Sequence, residues 1–233
     1  MYLVFYGRIS KSLVVGEEQV KMIDLIGHQI SESNRDRKFL LFERTTRLSS
    51  SDKILDVGGG IDSMLIKRIK WKENVTVTGL FNEELLRRLS EKYYPAKVIY
   101  ADATDMKIFE DKSFDIVFSN AVIEHVGSKE RQLKFANEIR RVGKRYFVAT
   151  PNYFFPIEQH YKIPLMHFLP ERVRKYLMDV RQLDLGHCEA INLLTPSQMQ
   201  DLFPEATIKL LKSIFFPFVP ISIIVSKELE IVE

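Results

Sequence analysis

The chain carries one cysteine, Cys188, among 233 residues. A single thiol excludes an internal disulfide, and with no metal-thiolate pattern around it a reducing cytoplasm is the expected setting. Long apolar runs are missing as well. The best stretch, 214–225, is shorter than the roughly twenty residues a spanning helix needs and holds Pro217 and Pro220. Met1 to Tyr6 is too short an apolar run for a signal peptide and has no basic segment before it. Nor is there an excess of one charge: 34 basic against 31 acidic residues leave +3, so charge alone argues for neither nucleic acid nor an acidic membrane as partner. No repeat, low-complexity tract or linker divides the chain. At 45% hydrophobic it has enough apolar content for one large α/β domain over 1–233.

What is present begins at Lys53-Ile54-Leu55-Asp56-Val57-Gly58-Gly59-Gly60-Ile61-Asp62, an apolar strand that ends in a carboxylate and runs into glycines. Asp62 reads as the cap of a helix over 63–70. Strand, glycine turn and helix in that order let a ligand approach backbone closely at a helix N-terminus, which is how nucleotide-like cofactors are held. A bare tight turn is the bland alternative. A dinucleotide fingerprint would need a third glycine where Ser63 stands and an acid after the second strand, 75–80, where Phe81 stands. That weakens a nicotinamide reading.

Asp56, Gly58 and Gly60 instead resemble the Asp/Glu-x-Gly-x-Gly motif of class I S-adenosylmethionine-dependent methyltransferases. Further segments agree in order and interval: 96–103, ending Ala101-Asp102-Ala103; 113–126, from Ser113-Phe114-Asp115 to Glu124-His125-Val126; and 145–152, ending Thr150-Pro151-Asn152. The second of these is similar to the fourth-strand segment of the subgroup that includes quinone-biosynthesis and other small-molecule enzymes. The resemblance implies a Rossmann-like α/β fold: a seven-stranded, mostly parallel sheet with an antiparallel C-terminal strand and helices on both faces. It implies S-adenosylmethionine as cofactor and S-adenosylhomocysteine as product. By the same resemblance Asp56 acts near the methionine end, with Gly58, Gly59 and Gly60 beneath it. Asp102, beside Ala103, would accept from the adenine amino group; capping its own turn is the alternative. Phe81 stands where the family has its ribose-binding acid, and the neighbouring Asn82 can hydrogen-bond a ribose hydroxyl. Asn120 closes the fourth strand, followed by Ala121-Val122 rather than the Pro-Pro-aromatic of enzymes that methylate nucleic-acid bases. Nucleic acid is therefore not the expected partner.

Periodicity supplies the rest. Ile23, Ile26, Ile30, Phe39, Leu40, Phe42 and Leu48 place helices over 17–50 that cover the cofactor or shape the acceptor pocket. Asn82 with Glu83 and Glu84 opens a helix to about Tyr93, another spans 128–141, and Thr195-Pro196 caps a short helix to Leu202. Strands at 206–215 and 221–226 form a closing hairpin. Residues 152–194 exceed what the core fold needs and are rich in aromatics, prolines and histidines, as expected of a lid over a small or lipid-like acceptor. Methyl transfer to a hydroxyl is the expected activity, with N- or C-methylation of a small molecule or cofactor binding without catalysis as the alternatives, and it requires alignment and a proton acceptor. His160 with Glu158 is the first candidate base, and His125 beside Glu124 the second; each is also compatible with a structural histidine. His125, His160, His167 and His187 match no metal-ligand spacing, so no metal is expected. The basic run 140–145 reads as a solvated helix end. The stretch with Arg172, Arg174 and Lys175 is a solvated face or a contact with a membrane surface or an anionic acceptor.

Overall fold

The computed structural model describes residues 17–156, 165–170, 172–174, 176, 191–212 and 218–228, with the side chains of 17–30 and Met166 left aside. Seven strands form one sheet: β1 (Ile54–Val57), β2 (Val75–Gly79), β3 (Lys97–Tyr100), β4 (Phe114–Asn120), β5 (Gly143–Pro151), β6 (Thr207–Lys212) and β7 (Pro220–Lys227). Their order is β3-β2-β1-β4-β5-β7-β6, with β7 antiparallel to both neighbours and every other pairing parallel. The strand order reverses between β1 and β4, and the crevice at the carboxyl ends of these two strands is where open α/β sheets take ligands. The expected sheet, with its closing hairpin, is the one observed.

Period-two alternation divides the core into two layers. Ile54, Ile116, Phe118, Phe147 and Ala149 face one side, packed with Phe42, Leu85 and Leu89. Leu55, Val57, Val117, Tyr146 and Val148 face the other, packed with Phe135, Ile139, Met199 and Phe203. The same alternation puts Asp56 and Asn120 on the first face. Helices α1 (Glu17–Thr46) and α2 (Glu83–Tyr93) cover that face, while α3 (Lys129–Val142) and α4 (Pro196–Leu202) cover the second.

The helices expected over 17–50 are one continuous α1. Its inner stripe is Asn34, Lys38, Phe42, Thr45 and Thr46, all buried at helical spacing. Phe42 anchors it, its ring 5.0 Å from Phe118 and 5.5 Å from Phe147, both edge-on. Burial of such a ring contributes about 1.5–3 kcal/mol. The C-terminal end of α1 is tied to β5 by the buried Arg145, which donates to the Thr46 carbonyl and pairs with Asp52. A guanidinium there also faces the negative end of the helix dipole.

Caps set the other helices. Asn82 accepts from Leu85 N at 2.8 Å to open α2, and Thr195 and Gln198 form a reciprocal capping box at α4, with Pro196 in its first turn. The helix expected over 63–70 does not form; that segment is a run of turns. Ser63 Oγ is drawn to Asp56 while also accepting from Ile66 N, and the backbone mixes i−4 bonds (Ile69 N to Leu65 O, 2.9 Å) with an i−3 bond (Arg68 N to Leu65 O, 3.0 Å). Arg68 is held outward by Glu32 and Asp36 of α1. Asp62 pairs with Lys67 at 3.0 Å rather than capping a helix.

The segment beyond β5 leaves and rejoins the sheet at one place: Asn152 bridges Leu194, and Tyr153 N donates to Leu194 O at 3.1 Å. Of the intervening residues, His167 and Phe168 pack edge-on against Tyr153. Among the described residues no helix is long and apolar enough to cross a membrane.

Candidate active site

β1 delivers Asp56 to the carboxyl edge of the sheet, 3% exposed, where Ser63 Oγ donates to its Oδ2 at 2.5 Å. Burial pushes its carboxyl up to about 7 against the partial relief of that hydrogen bond. The glycines that follow have different jobs. Gly58 has φ +80°, a left-handed conformation, and a Cβ there would lie 2.3 Å from Val122. At Gly59 a Cβ would lie 2.4 Å from Asp56 Oδ2 and 2.7 Å from Val77, so the carboxyl group and the loop are packed in contact. A Cβ on Gly60 meets nothing within 4 Å, which makes this the point of the loop where a ligand can come closest. Tyr93 braces the turn, its hydroxyl donating to Gly60 O and accepting from Ser63 N.

Helix α1 forms the opposite wall. Arg35, Asp56, Gly58, Gly59, Gly60, Asp62, Ser63, Phe118 and Asn120 line one cavity of about 80 Å³. Just behind it lies Lys38, 7% exposed, whose Nζ donates to Asn120 Oδ1 at 3.1 Å. Burial brings its amine down to about 8; Glu124 opposes that shift and Arg35 adds to it. Glu124 lies in a 3-10 turn, Ile123–His125, fully buried, and accepts from Thr150 Oγ1 at 2.9 Å. His125 Nε2 stands 4.0 Å from Glu124 Oε1 with its side chain 36% exposed, and Asn192, on the returning segment, donates its backbone N–H to Glu124 O at 2.8 Å. The ends of β4 and β5, the inner stripe of α1 and the return from the insertion therefore meet around one set of polar side chains.

The structure brings Asp56, Gly58, Gly59, Gly60 and Asn120 together, with Glu124 and His125 one layer beyond. The adenine and ribose candidates stand apart along the same edge, after β2 and β3. Phe81 turns its ring into the core, where it packs on Gly79. Asn82 caps α2 with its oxygen, a bond that uses only one end of the amide. Asp102 accepts from Thr104 N and Oγ1, both at 2.8 Å, and pairs with Arg131 at 3.0 Å; Ala103 sits beside it. Burial raises the Asp102 carboxyl, but the Thr104 and Arg131 bonds outweigh it and hold it below the ordinary carboxylate value. His160 and Glu158 lie outside the described residues. Pattern reading missed Arg35, Lys38, Ser63 and Thr150. The available signal for Lys38 was its i, i+4 spacing from Phe42, which puts a charge on an apolar stripe.

The sheet order, the acid-glycine loop at its switch point and the space above Gly60 agree with the resemblance to class I S-adenosylmethionine-dependent methyltransferases. Residues 55–146 match the model of the family described as "Methyltransferase domain". Among curated relatives, the chain is 27% identical over 150 residues to the ubiquinone/menaquinone biosynthesis C-methyltransferase UbiE of Xylella fastidiosa, covering 59% of this chain and 58% of that protein. It is 29% identical over 127 residues to the 27-O-demethylrifamycin SV methyltransferase of Amycolatopsis mediterranei, covering 47% and 46%. The chain thus spans about half the length of the curated relatives it matches. A solved S-adenosylmethionine-dependent methyltransferase of Methanosarcina mazei shares the fold, with a TM-score of 0.52 at 19% identity over 82% of this chain and 98% of that one.

The site fits that cofactor. Gly60 offers the close backbone approach, Asp56 offers a carboxyl group for an ammonium, and Asp102 and Asn82 stand along the sheet edge toward a nucleoside.

Proposed function

We propose that the protein methylates a hydroxyl of a small or lipid-like metabolite. The observation that carries this reading is the convergence of Asp56, Gly60 and Asn120 on one cavity, with the Glu124–His125 pair behind it at the ends of β4 and β5. When bound, the cofactor supplies a methyl group on a sulfonium, already activated toward displacement. The chain's own residues then have to orient the acceptor, exclude water and accept a proton. His125 is a candidate for that last role: its ring is partly exposed, and a buried carboxylate lies 4.0 Å from Nε2, placed to favour the imidazolium that proton transfer would form. His160 with Glu158 is the other candidate, argued from the sequence pattern. The segment 152–194 is read as a lid over the acceptor, a reading supported by its ends meeting at Asn152 and Leu194 beside the close of β5. The cytoplasm is its proposed setting.

A second reading, transfer to carbon, is favoured by the match to a protein named as a C-methyltransferase. One experiment separates the two. The protein is incubated with methyl-labelled S-adenosylmethionine and a panel of phenols, quinols, hydroxylated lipids and amines, and products are fragmented by mass spectrometry. A label lost with a methoxy fragment supports O-transfer; a label retained on the carbon skeleton supports C-transfer; a label found only on amines refutes both.

A further inference from the structure

We propose that the protein docks on an anionic lipid bilayer through an apolar and basic rim at the carboxyl edge of the sheet, made by the segment after β5 and the turn that enters β7. The inference rests on the lipid-like acceptor proposed above and names the surface from which such an acceptor is taken. Its residues lie outside the segment that the family model matches.

Six large apolar side chains are exposed there: Phe154, Leu165, Phe168, Val173, Tyr176 and Phe218, with Tyr176 66% and Phe218 92% exposed. Scattered singly, such residues are ordinary; gathered at one edge they mark an interface. The gathering follows from the backbone. Asn152 donates its N–H to Ile221 O at 3.1 Å and its side-chain amide to Pro220 O at 2.8 Å, which seats the turn carrying Phe218 beside the end of β5. The ring of Tyr153, the next residue, stands 5.5 Å from that of Phe154 and 5.2 Å from that of Phe168. Leu165 N donates to Pro156 O at 2.6 Å and Phe168 N to Leu165 O at 3.1 Å, so the return of the segment lies against its departure. The inward positions of this stretch are already filled by Phe155 and His167, both buried, with His167 Nε2 hydrogen-bonded to Tyr153 O at 2.9 Å. The exposed rings therefore stand on a packed layer and face away from it.

Charge decides the occupant. Val173 N and Arg174 N both donate to Pro170 O, at 2.9 and 3.0 Å, so Arg172 and Arg174 flank Val173 on a helical turn, with Tyr176 three residues on from Val173. The run 171–176 holds Arg172, Arg174 and Lys175 against one acid, Glu171. Cations interleaved with aromatic and aliphatic tips match the layered chemistry of a bilayer surface, where anionic headgroups lie over acyl chains. Tyrosine, apolar in its ring and polar at its tip, suits the boundary between the two.

The test is co-sedimentation of the full chain with phosphatidylcholine vesicles, with and without phosphatidylglycerol, for wild type and two double variants, Phe154→Ser with Phe218→Ser and Arg172→Ser with Arg174→Ser. Wild type should bind the anionic vesicles and lose most of that binding in high salt. Each arginine near such a surface strengthens association about fivefold, so the arginine variant should bind anionic vesicles on the order of twentyfold more weakly. The phenylalanine variant should bind at least about tenfold more weakly at every salt concentration. None of the four side chains is buried, so both variants should keep the wild-type urea midpoint and affinity for S-adenosylhomocysteine. Wild type that stays in the supernatant, or variants that sediment as wild type does, overturn the proposal. So does a wild-type dimer that the phenylalanine changes split while vesicle binding is unmoved, which assigns the rim to a second copy of the chain. Vesicle binding by a protein that methylates no hydroxyl of the labelled-cofactor panel upholds the surface and removes the acceptor; hydroxyl methylation without vesicle binding overturns the surface and leaves the acceptor standing.

Discussion

Burial opposes the ionisation of Asp56, and Asp56→Asn exposes what that costs. Its carboxyl ordinarily ionises at 3.8, and burial moves it to about 7 in the folded chain. Between those values the folded state keeps a proton that the unfolded state has released, so stability falls as pH rises from about 4 to about 7. A shift of roughly three units at 1.4 kcal/mol each sets a ceiling of about 4 kcal/mol. Asn has nearly the same shape, can still accept from Ser63, and does not titrate. Any fixed offset from its amide nitrogen is the same at every pH and cancels in the comparison. Urea unfolding of both proteins without cofactor at pH 4.5 and pH 8 is the assay. The wild type should lose about 3 kcal/mol of that ceiling relative to Asp56→Asn across that interval. Parallel pH dependences for the two would refute the assignment of a buried, protonated Asp56.

Lys38 carries the opposite sign. Its amine is brought from 10.5 to about 8, so the unfolded state holds the extra proton between those values and stability should rise there by up to about 3 kcal/mol; Lys38→Met should flatten that rise in the same assay at pH 8 and 10. Gly59→Ala forces a Cβ to 2.4 Å from Asp56 Oδ2 and 2.7 Å from Val77 and should destabilise by about 1–3 kcal/mol, whereas Gly60→Ala, with nothing within 4 Å, should leave the unfolding midpoint within about 0.5 kcal/mol and weaken cofactor binding in a calorimetric titration. Arg145→Leu strands Asp52 and the Thr46 carbonyl in the interior and should cost about 3–5 kcal/mol in urea unfolding at pH 7.

The sheet was legible because its strands advertise themselves twice. Ile54 to Val57 and Phe114 to Asn120 are apolar on both faces, as strands covered on both sides must be, and each ends in polar or glycine residues at the carboxyl edge. Helices α2 and α4 were readable from side-chain caps at Asn82 and Thr195, which act within four residues of chain. The helix expected over 63–70 failed for a tertiary reason: Ser63 bonds a carboxyl group seven residues back, and Arg68 is pulled to α1. The glycine loop was found because its spacing is local. Arg35 and Lys38 were not, since their role depends on α1 lying across β4, a contact made by Phe42 on Phe118 and Phe147 more than seventy residues away. A lysine in register with a buried phenylalanine reads as a flaw in an amphipathic pattern until the strand beneath supplies its acceptor, Asn120.

The most direct measurement is calorimetric titration of the purified protein with S-adenosylmethionine and S-adenosylhomocysteine, with NAD as the competing ligand and Gly60→Ala as the control. Binding of both sulfur compounds in the micromolar range, on the order of −8 kcal/mol, weakened in Gly60→Ala and absent for NAD, is the predicted result. Binding of NAD in preference, or of none of the three by a protein that unfolds cooperatively, would contradict it.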